Sequence, residues 1–372
     1  MVSNYSENGT PVSSRRVAIL IENGVEDSEF QVPYTALKKA GAEVVVLGSR
    51  MNEQYKGKQG KVSQEPDGTT TEARVADFDA VIIPGGMAPD KMRTNMKTVR
   101  FVQDAIAQNK LVAAVCHGPQ VLIEGDLLQG RTATGFRAIR KDMQNAGANY
   151  VDEPLVVDGN LITARRPGDL PMFTTAILTR LGLSIPDTTL PDVSDRDAGW
   201  WKLGEEWGGS SKQEIVSAIN TAIAGERYGL EAFQQYAEKT DDGELRSVFQ
   251  HVCTAKKQHI QRLEERLRLF GEQESLQAVA SGTLATLKGW LQTRTDDISI
   301  LRRALGDLQT GVVDTYALRN KLTDPTTTLI FDDMEIDIAK HEQQVADLYH
   351  ARISAGPVSP PQPTSGAAAK SS

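Results

Sequence analysis

Cysteine is scarce in this chain, with two in 372 residues, Cys116 and Cys253, far apart in sequence. That excludes a disulfide framework and a thiolate metal cluster, so each is a lone thiol. Basic runs are missing as well: 41 Lys and Arg stand against 49 Asp and Glu, a formal net charge of −8. Such a balance leaves no electrostatic footprint for nucleic acid or an anionic membrane surface, and neither is expected as a partner. No stretch approaches the roughly 20 apolar residues of a membrane span, and the polar segment 1–14 lacks the apolar core of a signal peptide. A soluble cytoplasmic protein is the expectation. Histidine is also limited. Of five, His251, His259, His341 and His350 lie in the last third, so histidine chemistry in the first half of the chain rests on His117.

At 372 residues and 40% hydrophobic content, the chain is long and apolar enough for two packed cores. From 15 to 183, short apolar β-branched runs alternate with helical patterns: Val17–Ile21, Glu43–Leu47, Ala80–Ile83 and Leu111–Val115. Their near-continuous hydrophobicity predicts parallel strands buried on both faces, a doubly wound, flavodoxin-like α/β domain. A last pair of strands is predicted around the turn dipeptide Asp158-Gly159. Residues 184–211 turn to Pro, Asp and Gly and carry Trp200, Trp201 and Trp207, a linker expected to lie against one of the domains. Four long amphipathic patterns follow at 212–239, 244–270, 296–320 and 326–351, with 271–295 bridging the second and third. Two hairpins joined by a long crossover give an all-α, ferritin-like four-helix bundle over 212–352. Segments 1–14 and 353–372 are disordered by composition.

Cys116 follows the strand Leu111–Val115 and precedes His117-Gly118-Pro119, where a helix should start. This sets the thiol on a tight turn at the carboxyl edge of a parallel sheet, where open α/β folds bind their ligands. A helix N-terminus there would favour the thiolate, whereas a buried lone cysteine is otherwise a small hydrophobe. Pro84-Gly85-Gly86 ends the third strand at the same edge. Backbone N–H groups of Gly86 and His117 could together hold an oxyanion formed when Cys116 attacks a carbonyl. Glu26, in the loop after the first strand, either hydrogen-bonds the sulfur or belongs to a solvated loop that caps the next helix.

The stretches Val25–Glu29, Pro84–Asp90, Val115–Gln120, Lys141–Gly147 and Val157–Leu161, in order along the chain, closely resemble the PfpI family. These are intracellular cysteine peptidases, protein deglycases and glyoxalase-III-like enzymes of the class I glutamine-amidotransferase-like superfamily. The resemblance implies Cys116 as nucleophile, His117 as its general base or acid, and Glu26 as the carboxyl that contacts the thiol. It further implies that Asp90 orients the histidine of a neighbouring subunit, so that the active site lies at the interface of a homo-oligomer. Some relatives carry Glu there. No distant histidine occurs between Gly118 and Gln250, which disfavours glutaminase chemistry.

In the bundle, helical spacing turns Glu226, His259 and His341 inward, with Asp337 one turn before His341. Ferritin-like di-metal sites use a Glu-x-x-His on each of two helices. Here Lys256 and Ile338 stand where those glutamates belong, which argues against two bound irons and leaves Glu226, His259, Asp337 and His341 as weak candidates for a single ion. This half resembles bacterial ferritin-like domains of unknown function, often associated with stress. The expected function is a cysteine-dependent hydrolase, needing no cofactor, that acts on a small carbonyl compound, a glycated protein or a peptide. The alternative is a redox or carbonyl sensor that uses Cys116 without turnover.

Overall fold

A computed structural model describes residues 14–273 and 296–354. The strands are β1 (Arg16–Leu20), β2 (Glu43–Gly48), β3 (Tyr55–Lys56), β4 (Ser63–Gln64), β5 (Gly68–Thr69), β6 (Ala80–Ile83), β7 (Leu111–Val115), β8 (Thr132–Ala133), β9 (Asn149–Tyr150), β10 (Leu155–Asp158) and β11 (Leu161–Ala164). The helices are α1 (Asp27–Lys39), α2 (Ala88–Met92), α3 (Met96–Ala107), α4 (Pro119–Glu124), α5 (Arg140–Asn145), α6 (Leu170–Leu181), α7 (Trp200–Glu206), α8 (Lys212–Lys239), α9 (Gly243–Leu269), α10 (Asp297–Arg319) and α11 (Pro325–Ser354).

Seven strands form one sheet in the order β10-β11-β7-β6-β1-β2-β5. Every pair in it is parallel except the β10–β11 hairpin. The residues of β6 and of β7 are all buried, as strands covered by helices on both faces must be. The strand expected to run from 149 to 157 is two: Asn149–Tyr150 pairs with β8, and only β10 returns to the main sheet. Parallel order brings the carboxyl ends of β1, β6 and β7 side by side, which assembles the site below.

Two compact units divide the chain. The first is Met1–Ile219 with Arg266–Glu272 and Tyr316–Asp332; the second is Asn220–Glu265, Gln273–Thr315 and Asp333–Ser372. The first division falls at Ile219, inside α8. Within the first unit, Trp200 and Trp207 are fully buried in the α/β core, as the linker composition demanded, and α7 forms between them. Each indole removes about 150–250 Å² from water, about 4–6 kcal/mol before side-chain entropy. Trp201 meets Phe270 edge-on at 5.2 Å, and Ser210 exchanges hydrogen bonds with Thr323 at 2.7 and 3.1 Å. These contacts hold segments 266–272 and 316–332 in the first unit.

The described residues of the second unit are helical apart from the 240–242 connection and residues 273 and 296. Phe233, Tyr236 and Phe249 pack edge to face at its centre, with Leu245, Ile300 and Leu301 fully buried around them. All four helices match the sequence periods to within three residues at each end. The expected disordered ends lie outside the described residues except for Ser14, Ile353 and Ser354, and α11 carries the last two as helix. Most of the bridging segment 271–295 also lies outside them.

Candidate active site

Cys116 sits where β7 stops, with φ +60. A non-glycine residue in this left-handed conformation is uncommon and marks a sharp turn that throws the side chain outward from the sheet edge. The turn is fixed on both sides: Cys116 N–H donates to the Ala164 carbonyl at 3.0 Å, and its carbonyl accepts from Phe136 N–H at 2.9 Å. Two glycines make room. A Cβ at Gly85 would fall 2.8 Å from Cys116 Cβ, and one at Gly118 would fall 2.4 Å from the Ile83 carbonyl. The N–H groups of Gly86 and His117 both donate toward the Cys116 sulfur, so the two donors expected for an oxyanion converge there.

The carboxyl against the thiol is Glu29, and the assignment of that role to Glu26 is corrected. Helix α1 begins at Asp27 with Glu26 as its N-cap, so Glu29 lies one turn inside, fully buried, facing β6 and β7. Its Oε2 accepts from Gly85 N–H at 2.7 Å, while Oε1 meets no fixed donor. Burial, then the charge of Glu26, push its pKa up to about 8, so it keeps its proton at neutral pH. Glu26 lines the same cavity but turns to Gln59 Nε2 at 3.0 Å and Lys58 Nζ at 3.6 Å. Its pKa is also raised, chiefly by burial, against the pull of Lys58. Asp27 anchors the loop that carries these partners by accepting from the N–H groups of Gln59 and Val62, each at 2.7 Å. The sequence signal for Glu29 was its i,i+3 spacing from Glu26, which puts both on one helix face.

Burial, and next the charge of Glu29, push the Cys116 thiol well above its ordinary value, against the N–H groups of Gly86 and His117. Helix α4, whose N-terminus faces the thiol, is only six residues long, and burial acts against its field. A proton acceptor stands next to the sulfur instead. His117 Nδ1 lies 3.5 Å from Sγ, and its ring packs on Phe136 with centroids 4.9 Å apart. Burial foremost, then the charge of Lys58, lower its pKa, so the imidazole is neutral at pH 7 and free to take the thiol proton; the charge of Asp90 acts the other way. Asp90 and His117 line one cavity of about 690 Å³ within a single chain. Short α2 follows directly on the Gly85-Gly86 turn and carries Asp90 to this sheet edge.

In the second unit the inward residues meet as expected but form an ion-pair cluster. Lys256 Nζ binds Glu226 Oε1 at 3.1 Å, His259 Nδ1 binds Oε2 at 2.9 Å, and His259 Nε2 faces Asp337 Oδ2 at 3.4 Å. Room for the ammonium comes from Gly229, where a Cβ would fall 2.8 Å from Lys256 Nζ. Burial pushes the pKa of His341 down, opposed by Asp337 and reinforced by His259 and Lys256. These residues do not fit a metal: both oxygens of Glu226 are taken, one by a cation. Among the described residues no group of three or more His, Cys, Asp or Glu is arranged to hold an ion. No helix among them is long and apolar enough to cross a membrane.

Residues 15–180 match the DJ-1/PfpI family, and residues 214–304 match a domain of unknown function, DUF2383. The chain is 41% identical over 170 residues to protein/nucleic acid deglycase 2 of Escherichia coli, a match covering 45% of this chain and 99% of that protein. It is 40% identical over 168 residues to general stress protein 18 of Bacillus subtilis, covering 45% and 98%. A crystal structure of a two-domain protein from Anabaena variabilis, containing DJ-1/ThiJ/PfpI-like and ferritin-like domains, is 57% identical with a TM-score of 0.86. That likeness covers 95% of this chain and 100% of the other. With the elbow cysteine, its adjacent histidine and the paired glycines in place, the chain belongs to the DJ-1/PfpI family.

Proposed function

We propose that the protein is a cysteine-dependent enzyme in which Cys116 attacks the carbonyl carbon of a reactive-carbonyl compound, a glycated protein or a peptide. The observation that carries this reading is the Cys116 elbow, which holds Sγ between two converging N–H donors and a neutral imidazole. As the Sγ–C bond forms, the C=O π pair moves to oxygen and the thiol proton passes to His117. The N–H groups of Gly86 and His117 stabilise the oxyanion, which then takes the proton from His117. An aldehyde stops at this hemithioacetal; with an amide the proton on His117 passes instead to the nitrogen, the oxyanion re-forms C=O as the amine leaves, and water hydrolyses the resulting Cys116 thioester. Glu29, holding its own proton, adds no negative charge beside the developing thiolate, and Asp90 supports the imidazolium once it forms. The chemistry uses no cofactor.

The test is a panel of methylglyoxal, a glycated peptide and its unmodified counterpart, run on wild type and Cys116→Ala. Turnover that falls at least ~10³-fold in Cys116→Ala supports the reading. Absence of Cys116-dependent turnover across the panel overturns it. With Asp90 and His117 in one chain, specific activity should be independent of protein concentration; loss on dilution would restore a shared site. A second reading, a sensor without turnover, draws on the buried Glu29 proton, a donor that a sulfinate oxygen on Cys116 would accept. Peroxide treatment giving a stable sulfinate in a protein inert toward the panel would favour it.

A further inference from the structure

The cavity over Cys116 has a wall that the α/β sequence does not supply. Tyr316 and Ala317 at the end of α10, and Asn320 and Lys321 just beyond it, line it opposite the elbow, some 200 residues later in the chain. They belong to the first compact unit and are anchored in it. Arg166, next to the lining residue Pro167, binds Asp332 at 2.8 Å, and Asp332 also binds Arg319, whose guanidinium lies 4.9 Å from the Tyr316 ring centre. A Cβ at Gly168 would fall 2.3 Å from Thr328 Oγ1, so the chain closes tightly there.

Two features of this wall point to a ligand. Asn320 Oδ1 is buried without a hydrogen-bond partner, an acceptor that a hydroxyl or amide N–H in the cavity would satisfy. The charges around the cavity are also unbalanced. Lys58 is paired with Glu26, and Glu29 holds its proton. Lys91 and Lys321 line the cavity with no ion-pair partner among the described residues, against Asp90 alone. The surplus is cationic, although the chain as a whole carries −8.

We propose that Lys321 and Asn320 form a specificity wall, with Lys91 completing its positive charge, and that this wall selects small carbonyl substrates bearing a carboxylate. This rests on the proposed chemistry of Cys116 and names its substrate class. Lys321 and Lys91 hold the carboxylate, and Asn320 accepts from the hydroxyl of the hydrated aldehyde or of the hemithioacetal formed on Cys116. These are binding groups; bond making stays with Cys116 and His117.

Two measurements on the full-length protein test it. In the first, Cys116 alkylation by iodoacetate and by iodoacetamide is followed by peptide mass spectrometry, which separates Cys116 from Cys253 and needs no turnover. The ratio of the iodoacetate rate to the iodoacetamide rate is expected to fall about fivefold or more in Lys321→Glu, and by less in Lys91→Gln. An unchanged ratio overturns the wall. In the second, glyoxylate and methylglyoxal are compared as substrates. Lys321→Glu is expected to raise the glyoxylate KM about tenfold while kcat and the methylglyoxal constants stay within about twofold. Asn320→Leu is expected to raise KM for both. Equal effects of Lys321→Glu on the two aldehydes overturn the carboxylate assignment. Lysine-dependent alkylation selectivity in a protein that turns over neither aldehyde would overturn the enzymatic reading and leave an anion-selective wall standing.

Discussion

Glu29 in the α/β unit and Glu226 in the helical unit are two buried glutamates whose protonation ends in opposite places. Burial raises both. Glu29 has no cation in contact and the charge of Glu26 nearby, and its pKa climbs to about 8. Glu226 has Lys256 and His259 on its two oxygens, and they outweigh burial and hold its pKa below the ordinary value. A buried acid beside a thiol keeps a proton and adds no charge to a nucleophile. A buried acid held between an ammonium and an imidazole becomes part of the scaffold. The first arrangement suits chemistry, and the second occupies the place where a ferritin-like helix bundle holds metal.

The largest effect expected from breaking this contrast is on stability. Glu226→Ala leaves the Lys256 ammonium buried without its carboxylate and should cost about 3–5 kcal/mol in a denaturant titration. Glu29→Gln, which keeps an acceptor for Gly85 N–H, should change stability by less than about 1 kcal/mol at pH 5. Equal losses in the two variants would erase the distinction. Next comes turnover: Glu29→Leu should lower kcat about 10²-fold, whereas Glu226→Ala should leave kcat unchanged at temperatures where it is folded.

The pH dependence sharpens the same point. Above its lowered pKa His117 is neutral and accepts the thiol proton, so kcat/KM should rise with pH through a value below 6.5. It should fall again near pH 8, where Glu29 ionises beside the sulfur, and Glu29→Gln should remove that alkaline limb. Stability follows the same proton. Because the folded pKa lies above the unfolded 4.5, the contribution of Glu29 is full below about pH 4.5 and is lost as pH rises toward 8. Glu29→Gln should flatten this slope. The smallest effect is that of Asp90→Asn, which removes a charge that raises the His117 pKa and should move the acid limb to lower pH by a few tenths of a unit.

Much of the fold was legible because its elements are long or strongly patterned. Four helices and the strands of the parallel sheet follow from periodicity, and Cys116-His117 follows from its place at a strand end. The acid beside the thiol was misplaced by one helical turn. Only the packing of α1, against β2 and α6, sets Glu29 rather than Glu26 against Gly85 and Cys116 and buries it to the last atom. Lys256 was visible as a departure from the metal pattern, but Gly229, which makes room for it, was not. Their relation, a space filled by an ammonium, exists only once α8 and α9 are packed.

Local chemistry thus determined the elements, the place of Cys116 and His117 at a strand end, and the loss of the metal carboxylates, because helix period, strand burial and turn geometry are set over a few residues. Tertiary structure alone decided the rest: Glu29 over Glu26, Asp90 and His117 on one cavity, and Tyr316, Ala317, Asn320 and Lys321 lining it opposite Cys116. These depend on which surfaces meet across as many as 200 residues, and on the desolvation that such meetings impose on each titratable group.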